Sequence, residues 1–122
     1  MQDNMIRLLQ RYDDTPMREW RNTQYNNYID TIQHELSLTK TEKEKIKHII
    51  KKTGLKQLYK NATAEQIILA LTIFIKEEES GQTVKIERYK IYNDNNIDYR
   101  FYSRVLRNLL IYYRQRLPVL VG

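Results

Sequence analysis

The stretch TAEQIILALTIFIKEEESG, Thr63 to Gly81, decides the fold. Thr63 with Gln66 three residues on is a capping box, each side chain accepting a backbone N–H of the other at the start of a helix. From Ile67 to Ile75 the only polar side chain is Thr72. A surface helix shows one apolar stripe; this one is apolar nearly all round, which requires burial on most sides. It is too short to span a bilayer, and its ends are charged. Ser80-Gly81 supplies the stop, with Gly where a left-handed backbone is needed. Glu77, Glu78 and Glu79 place negative charge at the negative end of the helix dipole, at about 0.3–1 kcal/mol per exposed residue. Basic neighbours are therefore expected there. The expected fold is all-α, a central helix over Thr63–Glu79 wrapped by amphipathic ones.

Composition agrees. A chain of 122 residues with 41% hydrophobic content has room for one core. Only 3 Gly and 2 Pro argue against a turn-rich sandwich or barrel. Lys+Arg 21 against Asp+Glu 15 gives +6 and points to a polyanionic partner. The absence of Cys excludes disulfides, thiolate zinc sites and cysteine nucleophiles. No signal peptide or membrane span is evident, so a cytoplasmic, intracellular protein is expected.

Outward from the centre, Met5, Leu8, Leu9 and Tyr12 have helical spacing, and Asp13-Asp14-Thr15-Pro16 breaks that helix. Residues 1–24 read as an N-terminal extension of short helix plus linker, and 25–122 as the helical domain. Trp20, the only tryptophan, sits in a polar segment; it is a domain anchor or, as a candidate partner contact, an interaction hot spot. Tyr25, Tyr28, Ile29, Ile32 and Leu36 predict an amphipathic helix. Thr41 with Glu44 reads as a second capping box, with Leu38 as its staple. The helix that follows to Thr53 has a narrow apolar line, Ile46, Ile49 and Ile50, amid lysines 40, 43, 45, 47, 51 and 52. Lys43, Lys47 and Lys51 are candidates for a secondary basic face, against the plainer reading of a solvated surface. Gly54 closes this helix, and Leu55, Leu58 and Tyr59 add a turn or two. Residues 82–96 fit a strand through Val84 and Ile86 or a helix through Ile86, Tyr89 and Tyr92. A short helix is preferred because a strand without a partner leaves its backbone unsatisfied. Asn93-Asp94-Asn95-Asn96 reads as a turn.

The last helix is the strongest functional candidate. At about 100° per residue, Phe101, Tyr102, Val105, Leu106, Leu109, Leu110, Tyr112 and Tyr113 fill one half of the wheel. Arg100, Arg104, Arg107 and Arg114 fall in a narrow sector of the other half, interrupted only by Ile111. A merely solvated face would mix both signs; this sector has no acid. Catalytic chemistry is absent. His34 and His48 lie on different helices without an acidic or Ser partner at a telling spacing, and they read as exposed helix residues. Two His and no Cys give no zinc signature. There is no Gly-rich phosphate loop, and the three consecutive glutamates diverge around a helix and cannot converge on a cation. No enzyme, cofactor or metal is expected.

Taken together, these elements resemble a single cyclin-box repeat of the archaeal transcription factor B and eukaryotic TFIIB type. Ile29-Asp30-Thr31-Ile32 to Leu38 is similar to that family's first helix, and Thr41–Gly54 with Leu55–Asn61 to its second. Thr63–Ala70 followed by Thr72–Ile75 and Glu79-Ser80-Gly81 resembles the buried third helix and its exit. Gln82-Thr83 onward would be the fourth helix, Tyr99–Arg114 the fifth, and Leu117-Pro118 the end of the repeat. Pro16 and Glu19-Trp20-Arg21 resemble a segment preceding the repeats. The resemblance implies a five-helix cyclin fold whose fourth and fifth helices form a helix-turn-helix. Lys85, Arg88 and Lys90 would then lie on its first element, and Tyr99, Arg100, Ser103, Arg104 and Arg107 on its recognition helix, where N-terminal residues reach base edges. This sequence departs from the family in having no cysteine zinc ribbon and no second repeat, so a full initiation factor is not implied.

The expected function is that of a transcription-associated protein that binds duplex DNA through its basic C-terminal helix. The competing reading is a cyclin-box module or small viral-type adaptor that binds protein, including the transcription machinery, with Trp20 as an anchor. One repeat offers a small footprint, so a homodimer or binding beside a second protein is expected.

Overall fold

The computed structural model describes residues 20–116. The helix read at 4–12, the break at Asp13–Pro16 and the end at Leu117-Pro118 lie outside the described residues. Among the described residues every regular element is helical, as the composition and periodicity require.

Helix α1 covers residues 20–36. It crosses the expected boundary at residue 24 without a break, so residues 20–24 form its first described turn and not a linker. Ile29, Ile32 and Leu36 are buried on its inner face. Its end is a Schellman motif: Leu38 N–H donates to Gln33 O (3.0 Å), and Ser37 N–H to His34 O (3.3 Å). Ser37 takes the left-handed position at φ 51° that Gly usually fills, at about 1–2 kcal/mol. Leu38 is buried behind it.

Helix α2, Lys40–Thr53, is capped two residues before the expected position. The capping box is Thr39 with Glu42, not Thr41 with Glu44. Thr39 N–H donates to Glu42 Oε1 (2.8 Å) and Glu42 N–H to Thr39 Oγ1 (3.1 Å). The earlier start is favoured because Glu42 lies on the buried side with Ile46, Ile49, Ile50 and Thr53. A carboxylate there needs a donor, and the Thr39 N–H is within reach. Gly54, at φ 75°, ends α2 and begins the one-turn α3, Leu55–Leu58.

Helix α4, Ala64–Ser80, has both expected end signals. Thr63 and Gln66 form the capping box, and Gly81 takes the left-handed position at φ 70°. Every residue from Ile67 to Ile73 is buried, as is Ile75. Thr72, the polar exception, donates to Leu69 O and shares a 2.8 Å hydrogen bond with the Tyr92 hydroxyl. α2 and α3 pack against α4 on one part of its surface.

The chain after α4 corrects two expectations. The segment is helical in two pieces, a 3-10 turn, Ile86–Arg88, and a five-residue α5, Lys90–Asp94, in place of one fourth helix. Extended backbone at Lys85 and Tyr89 interrupts the run. The Val84 N–H is taken by the Glu77 carboxylate (2.9 Å), which fixes an extended exit instead of a helical start. The turn is also shorter than Asn93–Asn96, because Asn93 and Asp94 complete α5. Asn96 stands at φ 59°; Ile97 N–H donates to Tyr92 O (2.8 Å) and Asn96 N–H to Asn93 O (3.1 Å). This repeats the ending of α1, with buried Ile97 in the place of Leu38. Gln66 ties this turn to the start of α4 by donating to Asn95 O (3.0 Å). Helix α6, Tyr99–Arg116, closes the domain against α4 and α3.

The burial of α4 makes a direct prediction. Ile68 and Leu71 are each 1% exposed, and an unpaired carboxylate at either position costs several kcal/mol. Ile68→Asp or Leu71→Asp should abolish the cooperative thermal transition followed by circular dichroism. A variant melting with the parent would contradict the central position of α4.

Candidate nucleic-acid interface

α6 starts at a cap that helical periodicity alone does not reveal. The Asp98 carboxylate accepts Phe101 N–H (2.7 Å) and the Asp98 carbonyl accepts Tyr102 N–H (3.0 Å). The readable signal is an Asp immediately before an apolar-periodic run. From this start Tyr102, Val105 and Leu109 are buried toward α4. Phe101 packs edge-on against Tyr59, ring centroids 5.4 Å apart.

Polar tethers fix the roll of the helix. Asn108 donates to Leu58 O, and the Tyr112 hydroxyl to Lys52 O (2.9 Å). The Tyr102 hydroxyl donates to Glu77 Oε1 (2.6 Å), while Glu77 Oε2 accepts the Val84 N–H. Glu77 thus joins the end of α4, the exit segment and α6. Two of the three glutamates are offset, each differently. Lys45 pairs with Glu79 as the expected basic neighbour, whereas Glu77 is met by neutral donors. Burial first, and the hydrogen bond to Glu77 second, push the Tyr102 phenol above its usual range. Tyr92 is raised in the same direction by burial.

With this roll Arg100, Arg104, Arg107 and Arg114 are all exposed. None is paired with a carboxylate among the described residues. Arg104 donates to the Tyr59 hydroxyl (3.1 Å). Leu110, expected in the apolar half, is 53% exposed, and Ile111 is 42% exposed. Leu109 takes the place facing α4, and the next residue turns about 100° away from it, past the edge that half-buried Leu106 and Tyr113 cover.

The nine candidate contact residues do not form one surface depression. Ser103, Arg107 and Arg114 line a shallow groove of about 450 Å3 with Leu106, Leu110 and Ile111. Lys85 and Arg88 line a different cleft of about 610 Å3, beside Lys76 and Glu79. Tyr99, 69% exposed, borders a third near Glu87. Lys90 is exposed on α5. A helix of only five residues, a turn and then α6 follow one another in the chain.

The secondary basic face is largely engaged within the domain. Lys43 reaches Asp30 of α1 at 2.8 Å and Gln33 at 3.0 Å, and Lys47 reaches Asp30 at 3.8 Å. The Lys43 hydrogen bond, with Lys47 beside it, holds the Asp30 carboxyl below the usual carboxylate range. Lys51 alone of the three is exposed. Trp20 is 58% exposed and so does not anchor the described domain. His34 and His48 are exposed on α1 and α2. No group of three metal-ligating side chains, and no helix long and apolar enough to cross a membrane, occurs among the described residues.

No family model, curated protein or solved structure matches the chain.

The raised phenols of Tyr92 and Tyr102 give a pH prediction. An unfolded tyrosine titrates near pH 10, and these two titrate higher when folded. Their contribution is complete below about pH 10 and is lost as pH rises, because the folded state then holds more protons. The urea midpoint should fall above about pH 10. Tyr102→Phe should cost about 1–3 kcal/mol near neutral pH and make the alkaline fall shallower. An alkaline profile unchanged in this variant would contradict the Glu77–Tyr102 clasp.

Proposed function

We propose that this chain is a transcription-associated, intracellular protein that binds duplex DNA through the outer face of α6 and acts by binding, not by catalysis. One observation carries the reading: four exposed arginines on one helix face, with no acid on that helix and no carboxylate partner among the described residues. Guanidinium groups pair bidentately with phosphate or with the guanine edge. From Arg100 to Arg114 the row spans about 21 Å of helix, enough to follow several phosphates. The cyclin-box proposal draws support from a buried central helix with amphipathic helices before and after it. The short 3-10 turn and α5 at the fourth-helix position weaken the helix-turn-helix part, so the DNA reading rests on α6 itself. Dimerisation or binding beside a second protein belongs to the same proposal.

A second reading is favoured by a specific observation. Trp20, Leu110 and Ile111 are large apolar side chains left in water, the composition of a protein-interaction surface.

The DNA reading is tested by reversing Arg104 and Arg107 to Glu, which leaves the buried side of α6 untouched. Duplex affinity should fall, and the slope of log K against log salt should become shallower by about 0.9 for each phosphate no longer neutralised. Lys43→Gln with Lys47→Gln should lower stability through Asp30 and affect DNA affinity much less. Duplex binding by the double arginine variant equal to that of the parent would contradict the proposal.

A further inference from the structure

The groove on α6 has a feature that phosphate binding does not use. Its floor and rim combine Ser103, Leu106, Arg107, Leu110, Ile111 and Arg114. At about 100° per residue, Arg107 and Arg114 fall between Leu110 on one side and Ile111 on the other. Two guanidinium groups are therefore flanked by apolar walls, over about 16 Å of helix from Ser103 to Arg114. A DNA backbone would leave the exposed Leu110 and Ile111 facing phosphate and water. A second copy presenting its own α6 to the groove would set arginine against arginine, with no acid on α6 to separate them. What fits is a surface that is acidic at its centre and apolar at its edges.

We propose that this groove docks an acidic amphipathic helix of a partner protein, with carboxylates seven residues apart meeting Arg107 and Arg114, and leucine-type side chains covering Leu106, Leu110 and Ile111. Seven residues is two helical turns, so one face of a partner helix matches the spacing of the two arginines. The apolar walls exclude water from the paired charges, which strengthens each pair relative to an open surface. Arginine suits this setting because its guanidinium is more weakly hydrated than an ammonium group. Occupation of the groove covers Arg107 and Arg114, so docking and DNA binding compete. The docking claim goes beyond the DNA reading and does not depend on it.

The probe is a labelled helical peptide of about 18 residues, long enough to hold helix in water, with two Glu seven apart on a face otherwise Leu and Ala. Its control carries Gln at those two positions. The full chain should bind the Glu peptide at least about tenfold more tightly than the Gln peptide. Leu110→Ser with Ile111→Ser changes only exposed positions, and it should weaken peptide binding by about tenfold or more while duplex DNA is retained. Arg100→Gln with Arg104→Gln should lower DNA retention and leave the preference for the Glu peptide over the Gln peptide in place. Charge exchange separates docking from misfolding: Arg107→Glu with Arg114→Glu should reject the Glu peptide and accept one carrying Lys in its place. Equal binding of the Glu and Gln peptides would overturn the proposal, as would peptide affinity unaffected by the serine pair. A dimer in sedimentation that the serine pair dissolves would assign the groove to a second copy and also overturn it. Loss of DNA binding in the serine pair, with no peptide binding by the parent, would give the groove to DNA.

Discussion

Seven consecutive residues of α4, Ile67 to Ile73, are buried with no exposed side chain among them. Seven residues make two full turns, so cover is needed in every direction around the axis. Each Ile and Leu side chain among them contributes about 1.5–3 kcal/mol when removed from water, and the covering elements must order themselves against the entropy that opposes it. α2, α3 and α6 pack on α4, and Ile29, Ile32 and Leu36 of α1 join the same core. The inner faces of these helices are fixed by this demand. Their outer faces, including the arginine row of α6, follow as the remainder.

Covering a helix does not by itself set the roll of the helix that covers it. For α6 the roll is set by hydrogen bonds at both edges: Tyr102 to Glu77, Asn108 to Leu58 and Tyr112 to Lys52. The Glu77 carboxylate is central because its second oxygen also takes the Val84 N–H. One acid at the end of α4 therefore shapes the exit segment and orients the proposed binding helix. That role accounts for a carboxylate at the unfavourable end of the helix dipole, held by a phenol and a backbone N–H and not by a cation.

The local features of the fold are legible in the sequence, and the relations between helices are less so. The Thr63–Gln66 box, Gly54, Gly81 and the buried run of α4 are signals within a few residues, and each stands where the sequence places it. The start of α2 is different, because two overlapping boxes are spelled there. Thr39 and Thr41 each have a glutamate three residues later, Glu42 and Glu44, and only the burial of Glu42 selects the first. The wheel separates the arginines from the core correctly. It misplaces Leu110 because a periodicity does not contain the width of the neighbouring helix. Lys43 and Lys47 read as a basic surface because their partner, Asp30, is on another helix. Residues 82–94 are ambiguous in sequence because their conformation depends on Glu77, a residue in the preceding element.

The central claim is that the outer face of α6 is the surface that meets a polyanion. An NMR titration of the 15N-labelled chain with a mixed-sequence DNA duplex tests it most directly, using the arginine side-chain Nε–Hε signals as reporters. The account predicts that Arg100, Arg104, Arg107 and Arg114 shift first and together, while the amides of α2 around Lys43 and Lys47 move little. Shifts centred on α2, or on the cleft of Lys85 and Arg88 with α6 silent, would contradict it.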